Sequence, residues 1–235
     1  MTTEAIEANV DNHHQAGSEA ELWKGGRSPF KASYGKIMMW YFLISDTFTF
    51  AGLLIAYGAL RFAQTDIWPL PSKVFTSVPG ITENAPLVFV SIMTFTLILS
   101  SVTMVRAVQE GVQRNRNGVA LWLVPTIIGG AFFVFCQYLE WSHLIHQGMT
   151  LTNNPFSLSG DGNGPMNFGQ LFFVITGFHG LHVTVGVLLN IWLLVKTMIG
   201  DFDKVGHYEM VEKIGLYWHF VDLVWVFVFL CFYLL

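Results

Sequence analysis

The chain has 235 residues, of which 53% are hydrophobic in type and 12% charged, with a formal net charge of −4 at pH 7. An average soluble domain carries about 25% charged residues, so this composition excludes a water-soluble fold of this size, which would be unable to cover its own apolar surface. No nucleic-acid partner is expected.

Residues 1–36 are polar, mixed in charge and free of the apolar stretch that a cleaved signal peptide carries, and are read as a cytoplasmic tail. The paired His13 and His14 within it are a weak metal-binding feature. Apolar blocks follow over about 37–61, 86–106, 119–143, 168–196 and 214–235. Each is near or above the roughly 20 residues that cross a hydrocarbon core of about 30 Å as helix. The expected fold is all-α, a polytopic membrane bundle of five transmembrane helices over residues 37–235.

The first span holds Asp46, ten residues after Lys36. That is about 15 Å along a helix, close to the bilayer midplane. A carboxyl at that depth is costly unless it is paired, neutralised or hydrated. A structural hydrogen bond holding two helices together is preferred over proton handling, because no chain of acids leads to Asp46. A Pro-rich connector with Trp68-Pro69-Leu70-Pro71 and Pro79-Gly80 leads to the second span.

The third span closes in Gln137-Tyr138-Leu139-Glu140-Trp141-Ser142-His143. Glu140 is placed at the outer interface, where its carboxylate reaches water and Tyr138 and Trp141 join the interfacial aromatic belt. Cys136 there and Cys231 in the fifth span are read as reduced core residues, since free cysteine packs as a small hydrophobe. A second connector runs from Asn153-Asn154-Pro155 to Asp161-Gly162-Asn163-Gly164-Pro165.

On the fourth span His179 and His182 share a helix face, and Gly177 and Gly180 beside them, with Gly186 further on, are read as close helix contacts. This span is expected to be the most buried. The fifth repeats the spacing in His219 and Asp222, so that two short polar stripes can meet, acid against imidazole. Such a contact contributes about 0.5–2 kcal/mol inside a membrane. The alternative is a haem held by His179 or His182 with His219. Two histidines three residues apart crowd one side of a porphyrin, and neither a Glu-x-x-His ladder nor a Cys-rich site accompanies them, so no metal ligand is expected.

Ten of the 12 Lys and Arg residues fall on one side: Lys24, Arg27, Lys31 and Lys36, then Arg106, Arg114 and Arg116, then Lys196, Lys204 and Lys213. Arg61 and Lys73 fall on the other. The positive-inside rule puts the N-terminus in the cytoplasm and the C-terminus in the periplasm. No internal repeat of the transporter kind is visible, and the odd number of spans leaves no matching halves.

Two strings, Thr176-Gly177-Phe178-His179-Gly180-Leu181-His182-Val183 and Tyr217-Trp218-His219-Phe220-Val221-Asp222-Leu223-Val224-Trp225, resemble segments of subunit III of haem-copper terminal oxidases. The likeness extends to Gln137 through Trp141 and to Trp40 through Gly52. The resemblance implies an accessory subunit of a proton-pumping aerobic oxidase in the bacterial inner membrane, packed against subunit I with subunit II and further respiratory subunits nearby. It implies no catalytic residue and no redox centre in this chain, with haem and copper in partner subunits. Support of subunit I stability and proton uptake, and phospholipid bound among the helices, are also implied.

Many members have seven spans with a lipid cleft after the first two, whereas five spans match shorter bacterial members. Asp46 stands where many cytochrome c oxidase members carry Glu and where ubiquinol oxidases resemble this sequence. Gly177-Phe178-His179 and Phe220-Val221-Asp222 resemble the cytochrome c group more closely. Cytochrome c oxidase is therefore the main reading and ubiquinol oxidase the alternative.

Overall fold

A computed structural model describes residues 33–75, 87–157, 164–202 and 207–234. Five helices within it are long and apolar enough to cross a membrane: α1 Tyr34–Ala63, α2 Val88–Val112, α3 Arg116–His146, α4 Met166–Ile199 and α5 Glu209–Phe229, the last continuing into a π-helical turn, Leu230–Leu234. A one-turn helix, Pro71–Val74, lies between α1 and α2, and the described residues contain no strand. His13, His14, Pro79, Gly80, Asp161, Gly162, Asn163, Lys24, Arg27, Lys31 and Lys204 lie outside the described residues, as does most of the polar tail read over 1–36.

The chain divides after Met38. In the first unit the described residues open α1, with the Ser33 carbonyl accepting from the N–H groups of Lys36 and Ile37. Helix therefore begins before the apolar block does. The same holds for α5, which starts at Glu209 rather than at 214 because Glu209 and Lys213 form an i,i+4 ion pair at 3.3 Å that suits the first turn.

The short link between α2 and α3, residues 113–115, makes them antiparallel neighbours. Arg114 takes a left-handed conformation, φ 58°, and the Asn115 side chain accepts from the Gly118 N–H at 3.3 Å, capping α3. Inside α3, Pro125 has no N–H to give the preceding turn. Next to it the Thr126 hydroxyl donates to the Trp122 carbonyl at 3.0 Å and lies 2.8 Å from the Thr103 hydroxyl of α2. At the far end of α4, Gly200 with φ 82° ends the helix by returning its N–H to the last turn.

Helices α2 to α5 pack in a ring, α2 on α3, α3 on α4, α4 on α5 and α5 back on α2. The α2–α3 and α4–α5 connections lie at one end of this ring, where the Arg116 guanidinium donates to the Met198 carbonyl and Lys196 pairs with Asp201 at 2.6 Å. From Met39 onward α1 meets the ring through side chains: Phe50 on Phe178 with ring centroids 5.0 Å apart, and Tyr57 on Phe232 at 4.1 Å. The most apolar stretch of α1 is 22% buried, against 39% in α4 and 44% in α5. The fifth span, not the fourth, is thus the most buried, because it carries the large aromatics that fill the ring.

Those aromatics act in layers. Trp218 of α5 lies between Gly130 of α3 and Gly186 of α4, at both of which an added Cβ would clash with its ring, at 2.9 Å in the case of Gly186. Its indole N–H donates to the Ser100 hydroxyl of α2 at 3.2 Å. Two turns on, Trp225 donates to Thr94 of α2 at 3.0 Å and packs on Phe133 of α3 and His179 of α4. The π turn then allows the consecutive Phe232 and Tyr233 both to be buried. Each layer joins α5 to its neighbours through an apolar body and a polar handle.

Candidate functional site

Polar groups are the sparse feature of this membrane-embedded bundle, and their partners define what it can do. On α4, His182 places Nδ1 2.8 Å from the Phe178 carbonyl oxygen and Nε2 3.0 Å from a carboxyl oxygen of Asp46 on α1. A carbonyl only accepts, so Nδ1 carries a proton. The acid and the imidazole are thus set side by side within the bundle, although among the described residues Asp46 Oδ2 completes no hydrogen bond there; a proton held between them would leave the pair without net charge, which lowers the cost of holding it in lipid. Phe50, Phe178 and Tyr217 surround the imidazole, and the Tyr217 hydroxyl donates to the His182 carbonyl at 3.0 Å.

His179, one turn away and wholly buried, donates from Nε2 to the Val221 carbonyl of α5 at 3.1 Å, and its Nδ1 has no hydrogen-bond partner among the described residues. With one nitrogen donating to a backbone carbonyl and the other enclosed, it is a single neutral tautomer locked between α4 and α5.

The two polar stripes of the fourth and fifth spans do not pair with one another. His219 instead turns to α2, its Nδ1 2.6 Å from the Ser101 hydroxyl, and Asp222 follows it on the next turn of α5. The reason is the ring topology: α5 packs on α2 along one flank and on α4 along the other. His219 and Asp222 lie on the α2 flank, while the Val221 carbonyl meets His179 of α4.

Glu140 also departs from expectation. It is buried within the bundle, accepting from the Tyr233 hydroxyl at 2.9 and 3.0 Å on its two oxygens and from Gln137 Nε2 at 3.3 Å. The protein encloses its carboxyl, because the π turn carries Tyr233 inward to meet it. Tyr138 is exposed as expected of a lipid- or interface-facing ring, whereas Trp141 donates to Thr176 of α4 at 3.2 Å.

Gly177 touches Trp141, but a Cβ on Gly180 would meet nothing within 4 Å. Gly180 lines a groove of about 320 Å³ between α3 and α4 with Val134, Gln137, Tyr138, Trp141 and Thr184. A second groove, about 340 Å³ and almost entirely apolar, runs between α1 and the α4–α5 seam, lined by Met39, Phe42, Leu181, His182, Val185 and Tyr217. Cys136 and Cys231 are free thiols. Among the described residues no three His, Cys, Asp or Glu side chains gather where a metal ion would need them.

Sequence reasoning missed the hydroxyl partners. Thr94, Ser100, Ser101 and Thr176 receive or share the polar handles of Trp225, Trp218, His219 and Trp141. The available signal was that a buried indole N–H or imidazole in lipid needs a partner, and that α2 is rich in hydroxyls for an apolar helix.

A family model described as cytochrome c oxidase subunit III matches residues 17–235. A probable cytochrome c oxidase subunit 3 of Nocardia farcinica is 31% identical over 84% of this chain and 85% of its own. The cytochrome c oxidase subunit 3 of a Synechocystis species is 32% identical over 100% of this chain and 88% of its own. A quinol oxidase subunit 3 of Bacillus spizizenii is 32% identical over 83% of this chain and 84% of its own.

Proposed function

Because the chain belongs to the cytochrome c oxidase subunit III family, we propose that it serves as the accessory, non-redox subunit of a proton-pumping aerobic terminal oxidase, with cytochrome c as the donor to the complex. The match over residues 17–235 carries this reading. The use of the intramembrane polar groups supports it: Asp46, His179, His182 and Glu140 each meet a neighbouring helix. In this reading the chain packs on subunit I, beside subunit II, and helps keep subunit I stable and its proton uptake efficient. Haem and copper reside in those partners.

The basic ends of α2, α3, α4 and α5, with ten of the 12 Lys and Arg residues on one side in sequence, support an orientation with the N-terminus in the cytoplasm of a bacterium and the chain in its inner membrane. Phospholipid is proposed as an occupant of the apolar groove between α1 and the α4–α5 seam, whose volume suits a stretch of acyl chain. The test is affinity purification of the tagged chain from native membranes. Co-purification of haem- and copper-bearing oxidase subunits, with the haem absorbance lost when this chain is separated from them, is the expected result. A haem band retained by the isolated chain would refute a non-redox role.

A second reading, subunit III of a quinol oxidase, is favoured by Asp46 and by the relative named as a quinol oxidase subunit. Oxidation of reduced cytochrome c against oxidation of a quinol by the purified complex separates the two.

A further inference from the structure

Near the middle of the bundle, the seam of α2 and α5 carries a polar cluster that this chain leaves partly uncovered. Asp222 lies thirteen residues after Glu209 in a helix that continues to Leu234, about 20 Å along it and hence well inside the hydrocarbon. Ser101, His219 and Asp222 are all half-buried. Around them on the same face stand Ile98 and Val105 of α2 and Leu223 and Val226 of α5, all exposed.

Ser101 Oγ lies 2.6 Å from His219 Nδ1, across the α2–α5 seam. When the hydroxyl accepts from Nδ1–H, the imidazole leaves Nε2 as a bare acceptor. Among the described residues Asp222 Oδ1 has no hydrogen-bond partner and no basic side chain pairs with this acid. Acyl chains offer no donor, so leaving such a cluster against lipid is costly.

We propose that the α2–α5 seam centred on His219 is the face on which a transmembrane helix of another oxidase subunit docks, presenting a hydrogen-bond donor to the imidazole at the depth of Asp222. This rests on the accessory-subunit reading above and specifies which face of the chain the neighbour covers. The apolar rim of Ile98, Val105, Leu223 and Val226 packs against the incoming helix, and the polar centre fixes its register, as polar contacts between membrane helices do.

The test places a photo-crosslinking amino acid at Ile98 and at Leu223 in the intact complex, with controls at Ile128 on α3 and Leu188 on α4, both exposed on other faces. Crosslinks from Ile98 and Leu223 to an oxidase subunit, absent from the controls, are expected. Beside it, His219→Leu is expected to reduce the amount of chain retained by the detergent-purified complex about fivefold, the size of one interhelical polar contact. The same change should lower the melting temperature of the isolated chain by no more than the loss of its single Ser101 contact, and His219→Gln should restore retention in part.

Crosslinks from the control faces alone, or to phospholipid alone from Leu223, in a complex that still contains the chain overturn the proposal and leave the accessory role intact. A loss of stability in the isolated His219→Leu chain large enough to account for the whole loss of retention overturns it too, because the imidazole then serves only the Ser101 contact within the chain. Failure of the unmodified chain to co-purify with any oxidase subunit overturns both the proposal and the reading beneath it.

Discussion

Asp46 of α1 and His182 of α4 meet with a carboxyl oxygen 3.0 Å from Nε2 while the other imidazole nitrogen is held by the Phe178 carbonyl 2.8 Å away. This contact is the polar fastening of α1, the least buried of the five helices. Removing one member strands the other in the bundle, whereas removing both does not.

Asp46→Ala is expected to destabilise the chain by about 3 kcal/mol, and Asp46→Leu combined with His182→Leu by much less, because an apolar pair of similar volume replaces a desolvated polar one. Thermal unfolding of these variants in detergent checks this. Oxygen consumption by an assembled Asp46→Ala complex should persist; its complete loss in a correctly assembled complex would contradict an auxiliary role.

Trp218 gives a contrast among glycines. Gly186→Ala and Gly130→Ala should each cost about 1–3 kcal/mol, because the new methyl group meets the indole ring well inside contact distance. Gly180→Ala, with nothing within 4 Å of the new Cβ, should leave the melting temperature unchanged or raise it slightly. Equal losses at all three positions would show that Trp218 does not occupy the centre of the ring.

Tyr233→Phe leaves the buried Glu140 carboxyl with Gln137 as its remaining donor and is expected to cost about 1–3 kcal/mol. Glu140→Gln should be milder, since the amide oxygen still accepts from the tyrosine hydroxyl. Melting curves of the two variants side by side decide the matter: a harmless Tyr233→Phe would mean that Glu140 is satisfied by water.

Asn190 of α4 is wholly buried, and among the described residues neither its amide nitrogen nor its amide oxygen has a hydrogen-bond partner. Asn190→Leu is therefore expected to stabilise the chain, by about 1–3 kcal/mol, as an unsatisfied buried amide gives way to an apolar group of nearly the same size. A lower melting temperature for this variant would reveal a bridging partner.

The five spans and the all-helical fold were legible in the residue order because hydrocarbon thickness imposes a length that long apolar runs either meet or do not. Ionisable residues were legible as exceptions for the same reason: against a background this apolar, Asp46, Glu140, His179, His182, His219 and Asp222 stand out by cost alone. The strings around His179 and Asp222 were distinctive enough to point to the family.

What the residue order did not contain was which groups meet. Spacing of three along a helix says that His179 and His182 share a face, yet one closes on the backbone of α5 and the other on α1. The same spacing in α5 turns His219 to Ser101 of α2, because the ring gives every helix two flanks and sequence periodicity does not number them. The apolar code of the spans was set by lipid and is local; the polar pairings are set by helix packing across the ring, where partners as far apart in sequence as Thr94 and Trp225 meet. Only the tertiary fold decides those.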